Sequence, residues 1–370
     1  MAYTTIDKPT DHFKILTYTG NATNGRAITG VGFQPDLLVI KARDAVAKWF
    51  WQNSIMGASF ELNSSDTQDV QEKTDGVQSF DSDGFTVGTR AVVNGSGNAL
   101  CSWSWLAAGS NTTDTSGSIS CTRRSNSTAG FAIMQYDANQ SSPYSIGHGL
   151  SSAPELIIAR AQVGANAWGI YYSARGTNMN WARLNTVDAQ GANTADPDAL
   201  NRASDAGGYT GTFVEATSSL VYINSSSFAS DGTGNNIMYA FHSVKGYSKI
   251  GEYTGNNSTD GTFVYTGFKP AFVMIKRIDS TGSWLVYDSA RYPENKATGP
   301  NKLYFNETGT EDSSTDPSGD TASTNMIDLL SNGFKLRSNN SYSNTVEDYI
   351  YFAIAENPFV TSTGIPTTAR

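Results

Sequence analysis

Charged residues are scarce in this chain of 370 residues, since Asp, Glu, Lys and Arg together make up 16% of it, against roughly 25% in an average soluble protein. Acidic residues outnumber basic ones, and the formal net charge is −9. Because nucleic-acid binding needs clustered Lys and Arg to neutralise phosphates, we expect no nucleic acid as a partner. A surface rich in Gly, Ser, Thr and Asn is instead typical of extracellular, lectin-like and virion proteins.

Long apolar runs and cysteine-rich stretches are also missing. No run of 18 apolar residues occurs, so we expect no membrane insertion. The first residues contain no basic region followed by an apolar stretch, so we expect no secretory signal. The only two cysteines, Cys101 and Cys121, do not make a disulfide framework. We expect both to be reduced thiols in a protein that folds in a reducing cytoplasm and leaves the cell by lysis.

Motifs for catalysis and metal binding are absent as well. His12, His148 and His242 are the three histidines, and none has the spacing of a His-x-x-His or His-x-x-x-His metal motif. There is no Gly-x-Ser-x-Gly motif for a serine nucleophile, and no strand carries the paired carboxylates of a glycosidase. Asp81-Ser-Asp83-Gly84 lacks the further ligands of a calcium loop and is typical of a hairpin turn. We therefore expect no enzymatic activity, no metal and no cofactor.

What the chain does contain is one pattern written three times. Tyr18-Thr-Gly-Asn21, Tyr136-Asp-Ala-Asn139 and Tyr253-Thr-Gly-Asn256 each open a copy. Each copy continues with a proline and an apolar run, a tryptophan fourteen residues later and a serine five residues after that. These positions are Pro35, Trp49 and Ser54; Pro154, Trp168 and Ser173; and Pro270, Trp284 and Ser289. The prolines lie 119 and 116 residues apart, a period long enough for each copy to be a small domain with its own core.

The local patterns within each copy predict strands. The runs after the prolines are short, rich in Val, Ile and Leu, and bounded by turn residues, as in buried strands. Each copy closes with a strand of alternating bulky residues, for example Tyr349 to Ile354, and helical periodicity is weak. We therefore predict an all-β protein of three tandem antiparallel β-sandwich domains, jelly-roll or lectin-like, each roughly one period long.

The predicted boundaries follow from the repeated positions and from the polar stretches between copies. They are an N-terminal docking segment at 1–11, repeat 1 at 12–109, a linker or edge strand at 110–129, repeat 2 at 130–243, a tight junction at 244–247, repeat 3 at 248–359 and a C-terminal tail at 360–370.

Candidate binding residues are those that differ between copies, because residues that recur are the ones the fold needs. We expect the repeated tryptophans to fill a core or inter-sheet position. Trp103, Trp105 and Trp181 occur in one copy only; the first two are typical of strand packing, whereas Trp181 suits either packing or a ligand. Loops 185–205 and 301–324 are rich in side chains that hydrogen-bond sugar hydroxyls. We predict a glycan-binding surface there, with five contact residues: Trp181, Asn185, Asp188, Tyr304 and Asn306.

Several longer segments carry a resemblance to a known group. They are Ala2 to Thr10, Ser79 to Gly88, Tyr247 to Gly255, Gly267 to Arg277 and Tyr349 to Phe359. Together with the repeated openings, these segments resemble the tandem-repeat virion proteins of tailed bacteriophages, especially marine ones. The resemblance covers essentially the whole chain.

The resemblance implies a virion structural protein with lectin-like repeats, assembled in the host cytoplasm and released by lysis. Its partners would be other virion proteins of the tail or capsid and host surface polysaccharide. One reading is a compact tail-associated fibre or receptor-binding component. The alternatives are a capsid decoration protein and, remotely, a glycan hydrolase. Because symmetric assembly would cover exposed sheet edges and add avidity, we expect a homotrimer.

Overall fold

The protein is described here from a computed structural model, and the described residues are 3–107, 109–138, 144–164, 166–173, 180–189, 214–223, 234–292, 295, 302–311 and 326–367. Within them the regular secondary structure is almost entirely antiparallel β-strand. The predicted all-β class is therefore confirmed. The helical elements there are a single 3-10 turn, Pro9–Asp11, and one turn of α-helix, α1 Ala91–Asn94. Neither is long and apolar enough to cross a membrane.

The strands are grouped here by the three sequence repeats. Repeat 1 contains β1 Phe13–Thr19, β2 Arg26–Thr29, β3 Leu37–Ala42, β4 Phe50–Asn53, β5 Gly57–Asn63, β6 Gln71–Glu72, β7 Val77–Asp81, β8 Gly84–Val87 and β9 Ala99–Trp105. The next strands are β10 Thr112–Asp114, β11 Cys121–Asn126, β12 Phe131–Asp137, β13 Tyr144–Gly147, β14 Leu156–Ala161, β15 Gly169–Tyr172, β16 Asn180–Arg183, β17 Val214–Ala216, β18 Leu220–Ile223 and β19 Asn235–Phe241. Repeat 3 contains β20 Ser248–Thr254, β21 Phe263–Tyr265, β22 Phe268–Arg277, β23 Leu285–Asp288, β24 Leu303–Tyr304, β25 Ile327–Leu330, β26 Gly333–Leu336 and β27 Asp348–Pro358.

Each repeat forms one large and one small sheet, and the strand order recurs. The large sheets share the orders β1-β9-β3-β4-β5, β12-β19-β14-β15-β16 and β20-β27-β22-β23-β24. The small sheets have the orders β2-β8-β7, β13-β18-β17 and β21-β26-β25. In every repeat the closing strand therefore lies between the first strand and the strand that follows the repeated proline.

Repeat 2 departs from this scheme in two places. Segment 110–129 supplies β10 and β11, which extend the large sheet beyond β12. In the small sheet, three residues, Thr217 to Ser219, separate β17 from β18. The corresponding turns in repeats 1 and 3 have two residues, because Asp81 pairs with Gly84 and Leu330 with Gly333. The middle copy lacks the Asp-Gly or Asn-Gly pair that makes such a tight turn possible.

Alternate residues of each large-sheet strand enter different hydrophobic cores. In β3, Leu38 and Ile40 pack toward the small sheet of repeat 1, whereas Leu37 and Val39 join a central core that contains residues of all three repeats. Since both faces of such strands are buried, the apolar runs after the prolines are continuous rather than alternating. Each repeat thus has a private core between its sheets and shares the central core with the other two.

The segments at the two ends of the described chain pack against this body. Ile6 is buried in the central core. Asp7 Oδ1 accepts a hydrogen bond from the main-chain N–H of Ser362 at 2.6 Å, which joins the first segment to the C-terminal tail. Cys101 and Cys121 are both buried free thiols, in agreement with the expectation of no disulfide.

Candidate functional site

The repeated tryptophans link the repeats to one another. All three are fully buried, and each indole N–H donates to a main-chain carbonyl of another repeat. The bonds run from Trp49 to Tyr304 at 2.7 Å, from Trp168 to Asn63 at 2.6 Å and from Trp284 to Arg183 at 2.7 Å. Repeat 1 thus bonds to repeat 3, repeat 3 to repeat 2, and repeat 2 to repeat 1. We call this closed set of three hydrogen bonds the tryptophan ring.

The three acceptors of the ring occupy one equivalent position. Each acceptor residue pairs in the sheet with the residue that follows the tryptophan of its own repeat. These pairs are Phe50 with Asn63, Gly169 with Arg183, and Leu285 with Tyr304. The ring is therefore built from one donor position and one acceptor position, used three times.

A second set of contacts between repeats uses buried cations. Lys41, Arg160 and Lys276 each stand six residues after a repeated proline and are fully buried. Each donates to a main-chain carbonyl of another repeat: Lys41 to Thr308 at 3.2 Å, Arg160 to Thr67 at 2.8 Å and Lys276 to Val187 at 3.1 Å. Burial lowers the pKa of Lys41 to about 8 and that of Lys276 to about 7. These cations are structural contacts of the same closed arrangement.

Repeats 1 and 3 are also joined by a cluster of four charged side chains, which we call the ion cluster. Arg291 donates to Asp288 Oδ2 at 2.5 Å and to Glu311 Oε1 at 2.8 Å, and Arg43 donates to Glu311 Oε1 at 2.9 Å. Burial opposes the charge of Arg291, but Asp288 and Glu311 outweigh it and raise the pKa of Arg291. The formal charges of the four side chains cancel. The cluster therefore joins the two repeats without itself adding net charge to the interior.

The repeated serines bond within their own repeats. The main-chain N–H of each donates to the carbonyl of the residue that follows the repeated proline. These bonds run from Ser54 to Asp36 at 2.8 Å, from Ser173 to Glu155 at 3.0 Å and from Ser289 to Ala271 at 2.8 Å. The prolines themselves are buried.

Two of the predicted sugar contacts, Asn185 and Asn306, hold main chain near the tryptophan ring. Asn185 Oδ1 accepts from the main-chain N–H of Trp168 at 3.0 Å, and Asn306 Oδ1 accepts from that of Trp284 at 2.8 Å. Both asparagines lie two residues after a ring acceptor, so they are equivalent positions rather than features of one copy. Their side-chain oxygens fix the start of the strand that follows each tryptophan.

Tyr304 and Asp188 also make contacts within the chain. The carbonyl of Tyr304 is a ring acceptor, and its aromatic ring lies edge-on to Tyr342 with 6.4 Å between centroids. Asp188 Oδ2 accepts from Thr186 Oγ1 at 2.9 Å. Tyr304 therefore lies at a contact between repeats, whereas this bond of Asp188 stays within repeat 2, and a ligand role for either residue remains a prediction.

The remaining predictions concern Trp181 and the two predicted binding loops. Trp181 lies on β16 opposite Tyr171 in the sheet register. Residues 190–205, 301 and 312–324 of the two predicted binding loops lie outside the described residues.

A different group of side chains forms the most exposed aromatic surface of the described part. Phe263 and Tyr265, on edge strand β21 of repeat 3, are 43% and 51% exposed, whereas Val264 between them is buried. The hydroxyl of Tyr3 lies 3.5 Å from that of Tyr265, and Phe359 lies beside Tyr3 with 6.5 Å between their ring centroids. We call these four residues, together with Lys245 and Lys249, the aromatic patch. The sequence signal that could have revealed it is the Phe-x-Tyr alternation just before Pro270, which has no counterpart in the other copies.

Hydrogen bonds fix the patch in place. Lys249 Nζ donates to the carbonyl of Tyr265 at 2.7 Å and lies 5.5 Å from the centroid of its ring. The Tyr3 hydroxyl donates to the carbonyl of Gly267 at 2.6 Å and lies 3.5 Å from the Tyr265 hydroxyl. Lys245 Nζ lies 4.8 Å from the centroid of the Tyr3 ring. Burial and the contact with Tyr265 raise the pKa of Tyr3, so the Tyr3 hydroxyl is neutral at physiological pH.

One serine hydroxyl lies close to a histidine ring in the described part of the chain. Ser151 Oγ lies 3.3 Å from His242 Nε2, but this hydroxyl also donates to the Ser127 carbonyl at 3.2 Å. The other ring nitrogen of His242 contacts the main-chain carbonyl of Ser243 at 3.0 Å, where a catalytic triad would have a carboxylate. Among the described residues, no three or more His, Cys, Asp or Glu side chains are grouped to hold a metal ion.

Comparison with known proteins gives one match. Residues 8–358 match the family described as "Domain of unknown function (DUF7483)", so a single family description spans all three repeats. No match was found among curated proteins or among solved structures. Because the matched region covers nearly the whole chain, the protein belongs to the DUF7483 family.

Proposed function

We propose that this protein is a structural component of a tailed-bacteriophage virion, a compact tail-associated fibre or receptor-binding protein that contacts host surface glycans. The observation that carries the receptor part is the aromatic patch, because exposed, immobilised aromatic rings are the usual stacking surface for sugars. The virion part rests on the resemblance of the repeated motifs to phage virion proteins. The low content of charged residues, 16%, supports both parts.

The proposal includes the architecture. Each repeat is a lectin-like, jelly-roll type of sandwich, with the boundaries 12–109, 130–243 and 248–359. The recurring strand orders of the large and small sheets support this division. The protein binds its glycan without cleaving it, and Ser151 and His242 serve the fold rather than hydrolysis.

A homotrimer is also part of the proposal. The tryptophan ring gives one chain three equivalent units in a closed arrangement, but the aromatic patch lies in repeat 3 alone, so avidity requires several chains, as in a trimer rather than a monomer. Light scattering of the purified protein at micromolar concentration distinguishes the two by mass. A monodisperse monomer contradicts the trimer and leaves the receptor proposal intact.

The test of the proposed function has two parts. In the first, antibody labelling and whole-virion reconstruction locate the protein on the particle; the expected position is the tail. In the second, purified fluorescent protein is mixed with host cells, and we expect saturable surface binding without release of reducing sugar. A capsid position without cell binding would favour a decoration protein, and released sugar would contradict the non-enzyme proposal.

A further inference from the structure

The aromatic patch is specific to repeat 3. In repeat 1 the equivalent outward positions are held by Ala27 and Thr29 on β2. They are equivalent because β2 pairs with β8 in the same register as β21 pairs with β26. In repeat 2 they are held by Ser145 and Gly147 on β13. These are covered by the preceding segment, since Asp114 and Gly117 approach Gly147 and Ser145 closely. The fold therefore does not require large rings at these positions.

The two rings form one surface because of strand geometry. Residues two apart on a strand point to the same face, and buried Val264 occupies the opposite one. The ring of Phe263 lies over Gly333 of the neighbouring strand, where an added methyl group would meet it at 3.1 Å. This contact accounts for part of the position of Phe263. Tyr265 is the more exposed of the two rings, and no such packing requirement explains it.

The patch also has its own charge. Lys245 and Lys249 make no salt bridge with a carboxylate in the described part of the chain, although the protein carries a net charge of −9. The neighbouring cations Lys269 and Lys335 are neutralised by Glu356 and Asp260, at 3.0 and 2.9 Å. Lys249 lies beside the exposed ring of Tyr265 and Lys245 beside the ring of Tyr3, so the patch is a local surface that is apolar and positive.

We infer that the aromatic patch is the glycan contact of this protein, and that its ligand is an acidic polysaccharide carrying carboxylates. This inference rests on the proposed function and names its site and ligand class. The C–H face of a sugar ring stacks on Tyr265 and Phe263, and its carboxylate lies toward Lys245 and Lys249. A protein partner fits less well, because a stable protein interface buries roughly 800 Å² on each side, far more than two rings offer.

The inference is tested with the full chain and defined probes. Affinity electrophoresis is run in gels containing polygalacturonate, alginate or hyaluronan, with neutral dextran as the uncharged control. We expect retardation by at least one acidic probe, weakening with salt, and little by dextran. Tyr265→Ala should weaken that binding about tenfold or more, whereas Tyr265→Phe, which keeps the ring, should stay within about threefold. Lys249→Ala should lower both the affinity and its salt dependence.

The matched control is Tyr222→Ala. Tyr222 is an outward-facing aromatic residue, 37% exposed, on β18 in the small sheet of repeat 2. Its removal should leave binding unchanged, and thermal melting verifies that each variant is folded. Equal losses in Tyr222→Ala and Tyr265→Ala, equal losses in Tyr265→Phe and Tyr265→Ala, or no retardation by any acidic probe would overturn the inference.

A cell-binding arm separates this inference from the proposed function. If the unmodified protein binds host cells and folded Tyr265→Ala binds equally well, the aromatic patch is not the glycan contact, although the receptor proposal stands. If the unmodified protein binds no host cell, the receptor proposal itself fails. Loss of cell binding in Tyr265→Ala but not in Tyr222→Ala supports both.

Discussion

At the scale of single residues, charge is buried where the repeats meet. Lys41, Arg160 and Lys276 satisfy main-chain carbonyls across these contacts, and the ion cluster joins repeats 1 and 3. Burying a cation costs free energy, and direct ion pairs with carboxylates, as in the ion cluster, restore part of that cost. The two kinds of contact should therefore respond differently to pH and to substitution.

Lys276 should make stability depend on pH. Its pKa is about 7 in the folded protein and 10.5 ordinarily, so between these values the unfolded chain binds a proton that the folded chain has released. The free energy of unfolding therefore rises with pH in this window, by about 1.5 kcal/mol from pH 7 to 8.5 for this group. Denaturant titrations should show Lys276→Met reducing the rise by that amount. An unchanged rise would contradict the assignment, and exposed Lys8→Met is the control.

Glu311 should be far more important to stability than a surface carboxylate. It accepts from both Arg43 and Arg291, so Glu311→Gln leaves buried positive charge uncompensated and should cost about 3 kcal/mol. The matched control is Glu356→Gln, because Glu356 pairs with Lys269 at 3.0 Å with both side chains about one-third exposed; that loss should stay under about 1 kcal/mol. Similar losses for the two variants, measured by denaturant unfolding, would mean that the ion cluster contributes little.

At the scale of elements, the tryptophan ring makes a comparison possible within one core. Trp168→Phe removes the indole N–H that bonds to Asn63 at 2.6 Å and leaves a buried carbonyl unsatisfied. Trp51 packs in the same core, but its indole nitrogen has no partner in the described part of the chain. Trp51→Phe therefore loses ring volume alone. We expect Trp168→Phe to cost about 1–2 kcal/mol more than Trp51→Phe in equilibrium unfolding. Equal costs in the free energy of unfolding would show that the hydrogen bonds of the tryptophan ring add nothing to the packing of the indole groups.

The sequence predicts the strands better than their surroundings. The proline, tryptophan and serine offsets, together with the turn signals, foretell all-β structure and three equivalent sets of positions. They do not reveal that Lys41 and Lys276 are buried. A buried cation and a solvent-exposed cation at the end of an apolar run give the same sequence pattern. That outcome depends on which neighbour covers the second face of the strand, and local periodicity carries no such information. For the same reason the sequence does not reveal that Asn185 holds the main chain of Trp168.

Edge strand β21 illustrates the opposite case. Phe263, Val264 and Tyr265 alternate as a half-buried strand should, so the exposure of the two rings follows from the pattern once the small sheet is known. What the pattern could not supply is the neighbourhood, because Tyr3 and Phe359 come from distant parts of the chain. A surface assembled from the N-terminal segment, the first strands of repeat 3 and its last residue cannot be recognised from motif spacing.

At the scale of the whole molecule, the central core argues against three independent bodies. Residues of all three repeats pack into it, and the tryptophan ring, the buried cations and the ion cluster cross between repeats. A repeat separated from the others would expose half of its large-sheet side chains to water. The repeat period is long enough for a small domain with its own core. Because the central core is shared, however, we expect the folded state of each copy to depend on the other two.

This dependence predicts one cooperative unfolding transition. Phe85 and Phe334 are equivalent, fully buried residues in the private cores of repeats 1 and 3, and replacing either with alanine should cost about 3–5 kcal/mol. If the repeats unfold together, Phe85→Ala and Phe334→Ala will each move the single calorimetric transition to lower temperature without splitting it, and the calorimetric and van't Hoff enthalpies will agree. If they unfold independently, each variant will show two transitions, one shifted and one unchanged. The two variants thus measure whether the private cores or the central core govern cooperativity. The central core is the largest of the four and contains residues of all three repeats, so we expect a single transition.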